Sequence, residues 1–410
     1  MTTAEIITIG TEIILGQVVD TNAPSIAKTL AEKGVRVLFH TSVGDDKELL
    51  KSTLKTACGR AGFIITTGGL GPTANDITRE AVSDFFGVSL ILDEESHTQI
   101  QKIFESRRRK MTDADKKQAM IPEGAIVISN GNGTAAGFTI RRGGTEVVCL
   151  PGVPHEMQSM LRTYLETREN DAVGEGCTLT RIIHTFGISE RTVEDFLGNC
   201  KERAEVLTLV HDGIVSIYIL VTATAREDAA RSLDAIGRDI WQKLGHAVFG
   251  TGDESLESAV AALLKKHRKT IAVAESCTGG LVSDKLTNIP GISEFFLEGV
   301  VAYSNRAKSD VLGVPEEIII QHGAVSPQVA RAMAEGIQKR ATSDVGVGIT
   351  GIAGPAGGTR DKPVGLVYIA VAANDGGVEI KECRFRGSRI SIKNFSANTA
   401  LNMVRLRLMV

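Results

Sequence analysis

The amino-acid sequence predicts an α/β protein, with two doubly wound α/β domains joined by a small α+β domain. Strand-like and helix-like patterns alternate from residue 5 to residue 86 and again after residue 251, which is typical of a parallel sheet covered by helices. A polar, glycine-bearing stretch at 169–176 ends the first pattern. A chain of 410 residues is long enough for two or three domains. We therefore expect domains at 1–170, 171–250 and 251–410.

The composition is typical of a globular protein and argues against several other classes. Hydrophobic residues make up 42% of the chain and charged residues 23%, and the net charge of −3 argues against a general nucleic-acid binder. The first residues do not resemble a signal peptide and no apolar run would span a membrane, so we expect a cytoplasmic protein. The six cysteines include no C-x-x-C pair, which indicates reduced thiols rather than a disulfide framework or a zinc site.

In the first domain the patterns predict three strands and four helices. The strands are expected at 5–9, 35–40 and 63–66, and the helices at 21–33, 46–58, 77–86 and from 94 to the basic run 107–110. Ligands of such sheets bind beyond the carboxyl ends of the strands. The loops expected at that edge are 10–12, 44–46 and 67–73.

These loops carry glycines and carboxylates. The glycines let backbone amides approach a phosphate, and the carboxylates could hold a divalent metal through oxygen. The carboxylates are Asp45, Asp46, Asp76 and Glu80. Alternatively, Asp46 and Asp76 only cap the helices that follow them, which is the commoner role of an aspartate before a helix.

The stretch 67–80, T-G-G-L-G-P-T-x-x-D-x-T-x-E, resembles the signature of the molybdopterin-binding (MoaB/MogA-like) domain in the form found in the CinA family. The segments 10–12, 20–22, 117–119 and 130–137 fit that family too, although a proline is usual where Ala136 stands. The resemblance implies a metal-dependent ADP-ribose pyrophosphatase, or a pterin site, with Asp76 as the metal ligand. Many members carry a second acid where Asn75 stands, so this chain has one carboxylate fewer. The implied site residues are Gly10, Thr11, Glu12, Asn22, Asp45, Gly68, Gly69, Gly71, Pro72, Thr73 and Asp76.

The middle segment predicts a small α+β unit. Strands are expected at 180–186 and 214–224, and helices at 189–197 and 226–244. In the CinA family a KH-like domain lies at this place. The segment has no G-x-x-G loop, which RNA-binding KH domains use to hold the nucleic-acid backbone, so we expect a spacer or dimerisation module in a homodimer. The basic run 107–110 ends a predicted helix, where cations are favoured, and we do not expect it to bind nucleic acid.

The third domain again alternates strands and helices. Its strands are expected at 271–274, 295–302, 344–349, 365–371 and 377–385, and its helices at 255–267, 281–286, 327–339 and 391–408. Ser326 is expected to cap the helix that begins at Pro327.

The stretch 271–280, I-A-V-A-E-S-C-T-G-G, is the centre of this domain. A strand that ends in small polar residues and glycines places hydroxyls and backbone N–H groups at the mouth of the sheet. The next helix would add positive partial charge from its N-terminus, which suits a small anionic or polar ligand. The alternative is an ordinary strand-to-helix turn without a ligand.

Two patterns in this domain suggest a dehydrogenase, but neither holds. The glycines at 346, 348 and 351 match G-x-G-x-x-G, but the following segment I-A-G-P-A-G-G cannot form the helix that the fingerprint requires. Tyr303 and Lys308 are separated by one residue too many for a dehydrogenase pair. Hydride transfer is therefore not expected.

Residues for nucleophilic catalysis are present. The candidate nucleophiles are Ser276, Cys277 and Ser293. A base is needed nearby, and the domain offers two histidines, His267 in a basic turn and His322 in a loop. Lys308 is the alternative base, because a desolvated lysine can lose its proton near neutrality and serine–lysine pairs are known. Lys308 could instead be a surface lysine at a helix start.

The segments A-E-S-C-T-G-G, G-I-S, V-A-Y-S-N-x-A-K, G-A-V-S and G-I-T-G-I-A-G-P together resemble the CinA C-terminal domain, which is similar to the nicotinamide mononucleotide (NMN) deamidases. The resemblance implies hydrolysis of NMN to nicotinate mononucleotide and ammonia without a cofactor. Ser293 would be the nucleophile and Lys308 its base, with Tyr303, Ser276 and Thr350 as the surrounding hydroxyl groups. The implied substrate-binding residues are Gly279, Gly280, Asn305, Gly351, Ala353, Gly354 and Arg389. The alternative is a non-catalytic partner protein in DNA uptake or repair.

Overall fold

The structure is a computed structural model that describes residues 3–168, 177–198 and 200–409. The chain divides into two compact units, one made of Met1–Thr180 and Leu220–Leu233 and the other of Arg181–Ile219 and Asp234–Val410. The predicted linker at 169–176 lies outside the described residues. No helix in the described ranges combines the length and the apolar character needed to cross a membrane.

The first unit contains a six-stranded sheet in the order β2-β1-β3-β8-β7-β6 and a two-stranded sheet, β4-β5. Its strands are β1 (Thr3–Ile9), β2 (Arg36–Val43), β3 (Phe63–Thr67), β4 (Leu90–Leu92), β5 (Met120–Pro122), β6 (Ile126–Ile128), β7 (Gly137–Arg142) and β8 (Thr145–Leu150). Its helices are α1 (Thr11–Ile14), α2 (Asn22–Glu32), α3 (Lys47–Cys58), α4 (Thr78–Phe86), α5 (Glu94–Ser106), α6 (Asp113–Lys116) and α7 (Pro154–Arg168).

Helices cover both faces of the six-stranded sheet. Side chains alternate along β1, so that Ile7 packs with Leu50 of α3 on one face. Ile6 packs with Ile26 of α2 and Met157 of α7 on the other face. The doubly wound arrangement expected from the sequence is therefore confirmed.

The sheet is mixed, which corrects the prediction that all its strands are parallel. Strands β2, β1, β3 and β8 are parallel, but β7 runs antiparallel to both β8 and β6. The reversal comes from the two-residue turn between Arg142 and Thr145. Gly143 and Gly144 there have φ values of 58° and 85°, which is the backbone that a tight hairpin turn with two positive φ angles requires.

The middle segment forms a four-stranded sheet in the order β10-β11-β9-β12. Its elements are β9 (Cys177–Phe186), α8 (Glu190–Leu197), β10 (Glu205–His211), β11 (Ile214–Ala223), α9 (Arg226–Leu244) and β12 (Val248–Thr251). Strand β10 was not predicted, because its residues alternate weakly. The division between the two units passes through β9, β11 and α9, so the three-domain boundaries and the KH-like module stay predictions.

The last segment forms a five-stranded sheet in the order β14-β13-β15-β16-β17. Its strands are β13 (Ile271–Glu275), β14 (Phe296–Val301), β15 (Val345–Gly351), β16 (Leu366–Ala373) and β17 (Val378–Arg384). Its helices are α10 (Leu256–His267), α11 (Leu281–Thr287), α12 (Asn305–Leu312), α13 (Glu316–His322), α14 (Pro327–Ala341) and α15 (Arg389–Leu408). Strands β14, β13 and β15 are parallel, and β16 and β17 are antiparallel additions. Ser326 caps α14 by accepting a hydrogen bond from Val329 N, as predicted.

The glycines at 346 and 348 serve helix packing. A Cβ on Gly346 would lie 2.3 Å from the carbonyl oxygen of Ala334, and one on Gly348 would lie 2.3 Å from that of Ala330. Both carbonyls belong to α14, so the missing side chains let this helix lie directly on β15. This packing accounts for the G-x-G spacing without a dinucleotide.

Candidate active site

A cavity of about 260 Å³ opens beyond the carboxyl ends of β13 and β15, and we call it the Lys308 pocket. Strand ends, the start of α12 and the loop after β15 supply its walls. Its lining residues are Ser276, Cys277, Tyr303, Asn305, Lys308, Ala324, Val325, Thr350, Gly351, Ile352, Ala353, Gly354, Ala356, Gly357 and Arg389. The fold thus brings together segments that are more than 100 residues apart in the sequence. None of the described residues that line this cavity is acidic.

Lys308 is a buried lysine and not the surface residue of the alternative interpretation. Its side chain is 1% exposed. The ammonium Nζ donates to Ser276 Oγ at 3.1 Å, to the Ala302 carbonyl at 2.9 Å and to the Tyr303 carbonyl at 3.4 Å. Burial lowers the pKa of Lys308 below that of an ordinary lysine. The loss of a proton is therefore easier here than at the protein surface.

The partners of Lys308 determine where its lone pair points after deprotonation. Carbonyl oxygens only accept hydrogen bonds, whereas the Ser276 hydroxyl can also donate. A neutral Lys308 therefore keeps its two N–H bonds toward the carbonyls and directs its lone pair at Ser276 Oγ. This arrangement makes Ser276 the hydroxyl that Lys308 can deprotonate.

Ser293 is not in this pocket, which corrects the pairing of Ser293 with Lys308. It lies exposed in a short 3₁₀ turn, Ile292–Glu294, before β14 begins. Strand β14 is parallel to β13, with Phe296 beside Ile271 and Val301 beside Glu275. The paired strands, about 15 Å long, separate the Ser293 turn from Ser276 and Lys308. A residue that precedes a parallel strand lies at the opposite edge of the sheet from one that follows it.

Glu275 occupies the N-terminus of α11, which corrects the expectation that this helix end would attract an anionic ligand. The carboxylate is fully buried and accepts hydrogen bonds from the N–H groups of Gly280, Val282 and Ser283 at 2.9–3.1 Å. It also accepts from Ser283 Oγ at 2.8 Å. The protein thus supplies its own anion at this place, and the carboxylate holds the loop that carries Ser276.

Cys277 is a poor nucleophile in this structure. Its side chain is 6% exposed and belongs to the apolar core of this segment. Burial raises the pKa of the Cys277 thiol to about 12, so the thiolate is scarce at neutral pH. Ser276 remains the pocket residue that the lysine can activate.

Arg389 and Tyr303 form the outer wall of the pocket. Arg389 donates to the Gly354 carbonyl at 2.6 Å and to Tyr303 Oη at 3.0 Å. Both hydrogen bonds of the Arg389 guanidinium therefore go to neutral acceptors. Thr350 is 1% exposed and donates its hydroxyl proton to the Ala324 carbonyl at 2.7 Å, so it supports a loop and is not a free oxyanion donor.

Lys362 is a site residue that sequence reasoning missed. Its Nζ donates to the carbonyls of His322 and Val325 at 2.6 and 2.7 Å. These bonds tie the loop after β15 to the loop between α13 and α14, and Val325 lines the pocket. These hydrogen bonds join residues that are 37–40 positions apart in the sequence. The residues next to Lys362 in the sequence do not predict such a contact. The ring of His322 does not line the pocket, and His267 is exposed at the end of α10.

The other predicted binding residues divide into two groups. Asn305, Gly351, Ala353 and Gly354 line the pocket. Gly279 and Gly280 lie beside it, since the Gly279 N–H donates to the Ser276 carbonyl at 3.1 Å and the Gly280 N–H donates to Glu275.

A second cavity, of about 490 Å³, lies at the carboxyl ends of β1 and β3 in the first unit. Nine of the predicted site residues line it, namely Gly10, Glu12, Asp45, Gly68, Gly69, Gly71, Pro72, Thr73 and Asp76. The remaining two residues, Thr11 and Asn22, do not line the cavity but form hydrogen bonds next to it. Thr11 N donates to the Asp45 carboxylate at 3.0 Å, and Asn22 Nδ2 donates to Thr67 Oγ1 at 2.9 Å.

The carboxylates of this second cavity have different roles. Asp46 caps α3 as the alternative interpretation predicted, through Leu49 N at 2.9 Å. Asp76 does not cap α4. Its Oδ2 accepts from Thr73 N at 2.8 Å and Thr73 Oγ1 at 2.6 Å, which holds the glycine-rich loop closed. Within the described ranges, no three His, Cys, Asp or Glu side chains come close enough to hold a metal ion by themselves.

Arg79 is buried beneath the second cavity, and sequence reasoning did not single it out. It is 0% exposed and donates to the carbonyls of Leu70, Gln118 and Ala136 at 2.8–3.3 Å. These carbonyls come from three separate loops. Burial lowers the pKa of Arg79 to about 10, still high enough to keep it charged at neutral pH.

Two family models match the chain. One is described as a probable molybdopterin binding domain and covers residues 5–169, and the other is the CinA C-terminal domain and covers residues 253–408. A competence-damage inducible protein of Caldicellulosiruptor bescii is 42% identical over 418 residues, which is 99% of each chain. The chain belongs to the CinA family.

A second relative supports this assignment, and one solved structure is similar in sequence to part of the chain. A CinA-like protein of Kosmotoga olearia is 42% identical over 414 residues and 99% of each chain. The crystal structure of a competence/damage inducible protein of Agrobacterium tumefaciens is 40% identical and covers 38% of this chain and 94% of its own, with a TM-score of 0.37. The Lys308 pocket lies within the segment that matches the CinA C-terminal model, and the second cavity lies within the other matched segment.

Proposed function

We propose that the protein is an amidohydrolase that converts NMN and water to nicotinate mononucleotide and ammonia in pyridine nucleotide salvage. The observation that carries the proposal is the contact of 3.1 Å between Lys308 Nζ and Ser276 Oγ inside the Lys308 pocket. A buried lysine of lowered pKa next to a serine hydroxyl is one arrangement that can activate a serine for acyl transfer. No cofactor takes part in this chemistry.

The reaction would proceed in two acyl-transfer steps. Ser276 Oγ attacks the carboxamide carbon while its proton passes to Lys308 Nζ. The tetrahedral intermediate then collapses, the C–N bond breaks, and ammonia leaves with the proton that Lys308 returns. Water attacks the resulting ester with Lys308 again as base, which releases the carboxylate and restores the Ser276 hydroxyl.

The charge of the pocket suits a nucleotide. Lys308 and Arg389 line it, and no acidic side chain does. Arg389 presents a planar guanidinium that can bind phosphate oxygens in a bidentate manner. A nucleotide with its anionic phosphate would therefore be favoured over the corresponding nucleoside.

The proposal is tested by ammonia release from the purified full chain. We expect rapid release from NMN and none from free nicotinamide, which lacks the phosphate. Folded protein that releases no ammonia from NMN would overturn the proposal. Binding to proteins of DNA uptake that persists without any turnover would then favour the non-catalytic alternative.

The pH dependence of kcat/KM should reflect the protonation state of Lys308. The neutral amine is the base, so kcat/KM for NMN is expected to rise as Lys308 loses its proton. Because burial lowers the pKa of Lys308, the midpoint of this rise is expected below about 10.4, the value of an ordinary lysine. Ammonia release measured from about pH 6 to pH 10 checks this.

Two variants make the pH test specific. Lys308→Arg keeps the charge but cannot deprotonate, so it is expected to lose the activity at every pH. Lys266→Arg, an exposed lysine at the end of α10, is expected to keep the wild-type profile. A rate that does not change across this range in the wild type would contradict a lysine base.

We propose a second activity for the cavity of the first unit, the hydrolysis of ADP-ribose. The observation that favours it is a cavity lined by the glycine-rich loop together with Glu12, Asp45 and Asp76. Mg²⁺ is commonly held by one or two carboxylates together with substrate phosphates, so it needs no preformed cluster of protein ligands. Asp76 would be the protein ligand, and the ion would neutralise charge on the diphosphate.

Release of AMP from ADP-ribose with added Mg²⁺ is expected to fall at least about tenfold in Asp76→Ala. Asp113→Ala, an exposed aspartate of α6, should leave the rate unchanged. Thr73→Val removes one hydrogen bond to Asp76 but keeps its carboxylate, so a milder loss is expected. An equal rate in the Asp76 variant, or no AMP from the wild type, would overturn this second proposal.

A further inference from the structure

A second cation, Lys393, lies close to Arg389 on α15, next to the residues that line the Lys308 pocket but not among them. Lys393 is one helical turn further along α15, so the two side chains share a face of this helix. The Lys393 amine lies 3.6 Å from the position that a Cβ on Gly279 would take. The N–H group of Gly279 donates a hydrogen bond to the Ser276 carbonyl. Lys393 therefore lies beside the loop that carries the proposed nucleophile.

Within the part of the chain that the structure describes, these cations form no ion pair. Lys362 and Arg389 donate to neutral oxygens only. Lys393 forms no hydrogen bond or ion pair with any residue in the described ranges. Among the described residues that line the cavity none is acidic, and Arg389 lines it while Lys362 and Lys393 lie on neighbouring segments.

The position of Lys393 and Arg389 is electrostatically unfavourable unless an anion binds. Both lie in the first two turns of α15, a helix of 20 residues without an acidic residue in its first turn. The N-terminus of a helix disfavours cations, and like charges four residues apart repel each other. A bound phosphate would remove both penalties, and its oxygens could accept from the ammonium and the guanidinium together.

We propose that Lys393 binds the substrate phosphate together with Arg389 and is the residue by which the pocket distinguishes a mononucleotide from its nucleoside. This inference rests on the proposed function of the same site. Lys393 does not touch the carboxamide, so its role is in substrate selection and not in the chemical steps. Its effect should therefore appear in binding and KM, and not in kcat.

The test compares NMN with nicotinamide riboside, which lacks the phosphate. Lys393→Gln is expected to raise KM for NMN about 10- to 100-fold with little change in kcat, as is typical for a lost bond to a charged group. The kcat/KM for nicotinamide riboside should not change. Lys393→Arg is expected to restore most of the preference for NMN, and Lys266→Gln should behave as wild type.

Calorimetry in the Ser276→Ala background separates this inference from the proposed function. We expect Lys393→Gln to weaken NMN binding about 10- to 100-fold and to leave nicotinamide riboside binding unchanged. Wild-type protein without ammonia release would overturn the proposed function, while these binding data still decide the role of Lys393. The inference would be overturned if Lys393→Gln weakened the binding of NMN and of nicotinamide riboside equally, or did not weaken NMN binding. It would also be overturned if the Ser276→Ala protein did not bind NMN.

Discussion

Replacing Ser276 with alanine is expected to reduce ammonia release from NMN by about 10³-fold or more, whereas Ser293→Ala is expected to keep the wild-type rate within about twofold. Ser276 Oγ is 3.1 Å from Lys308 Nζ inside the pocket. Ser293 is exposed at the other edge of the sheet. The two serines therefore form a matched pair of variants, and the measurement is steady-state ammonia release by the full chain.

A double variant sharpens this test. Lys308→Met should be as inactive as Ser276→Ala, and the combination should be no worse than either, because a nucleophile and its base act as one unit. Retained turnover in Ser276→Ala together with loss in Ser293→Ala would mean that Ser293 is the nucleophile. The contact between Lys308 and Ser276 would then have no catalytic role.

Replacing Glu275 with leucine is expected to lower the free energy of unfolding of its unit by about 3–5 kcal/mol and to abolish ammonia release. The variant removes the carboxylate that accepts from the buried N–H group of Val282 and from the partly buried N–H groups of Gly280 and Ser283. Each buried unpaired donor costs about 1–3 kcal/mol. The same loop carries Ser276, so the hydroxyl loses its fixed position next to Lys308.

Urea unfolding followed by tryptophan fluorescence measures this loss. Trp241 is the only tryptophan of the sequence and belongs to the same compact unit as Glu275. Glu317→Leu, an exposed glutamate in the first turn of α13, serves as the control and should not shift the urea midpoint by more than a few tenths of a molar unit. An unchanged midpoint in Glu275→Leu would contradict the role of this carboxylate.

Most helices and strands could be predicted from the sequence because their signals are local. The helix predicted at 226–244 is observed at Arg226–Leu244, and the strand at 63–66 ends one residue later. The antiparallel strand β7 could not be anticipated from strand–helix alternation, because a two-glycine turn joins it to β8 where a parallel connection would need a helix. Helix α13 was also missed, and α12 was anticipated only as the helix start of the alternative interpretation of Lys308.

The site was predicted in part. Lys308, Tyr303, Asn305, Arg389 and the loop after β15 were singled out by their motifs, and they line one cavity. The roles of Lys362 and Arg79 were not foreseen, because each holds carbonyls of loops that are distant in the sequence. The sequence around Lys362 looks like that of an ordinary surface lysine, and the sequence around Arg79 looks like that of an exposed arginine on a helix.

The sequence by itself determined the alternation of strands and helices, the CinA family motifs and the set of hydroxyl and cationic residues from which a site could be built. Only the tertiary structure decided which serine faces Lys308 and which anion occupies the start of α11. The reason is that parallel register brings together residues that follow their strands, such as Ser276 and Lys308, and leaves Ser293 at the far edge. Burial then lowers the pKa of Lys308, a property that depends on the surrounding packing and not on the residue itself.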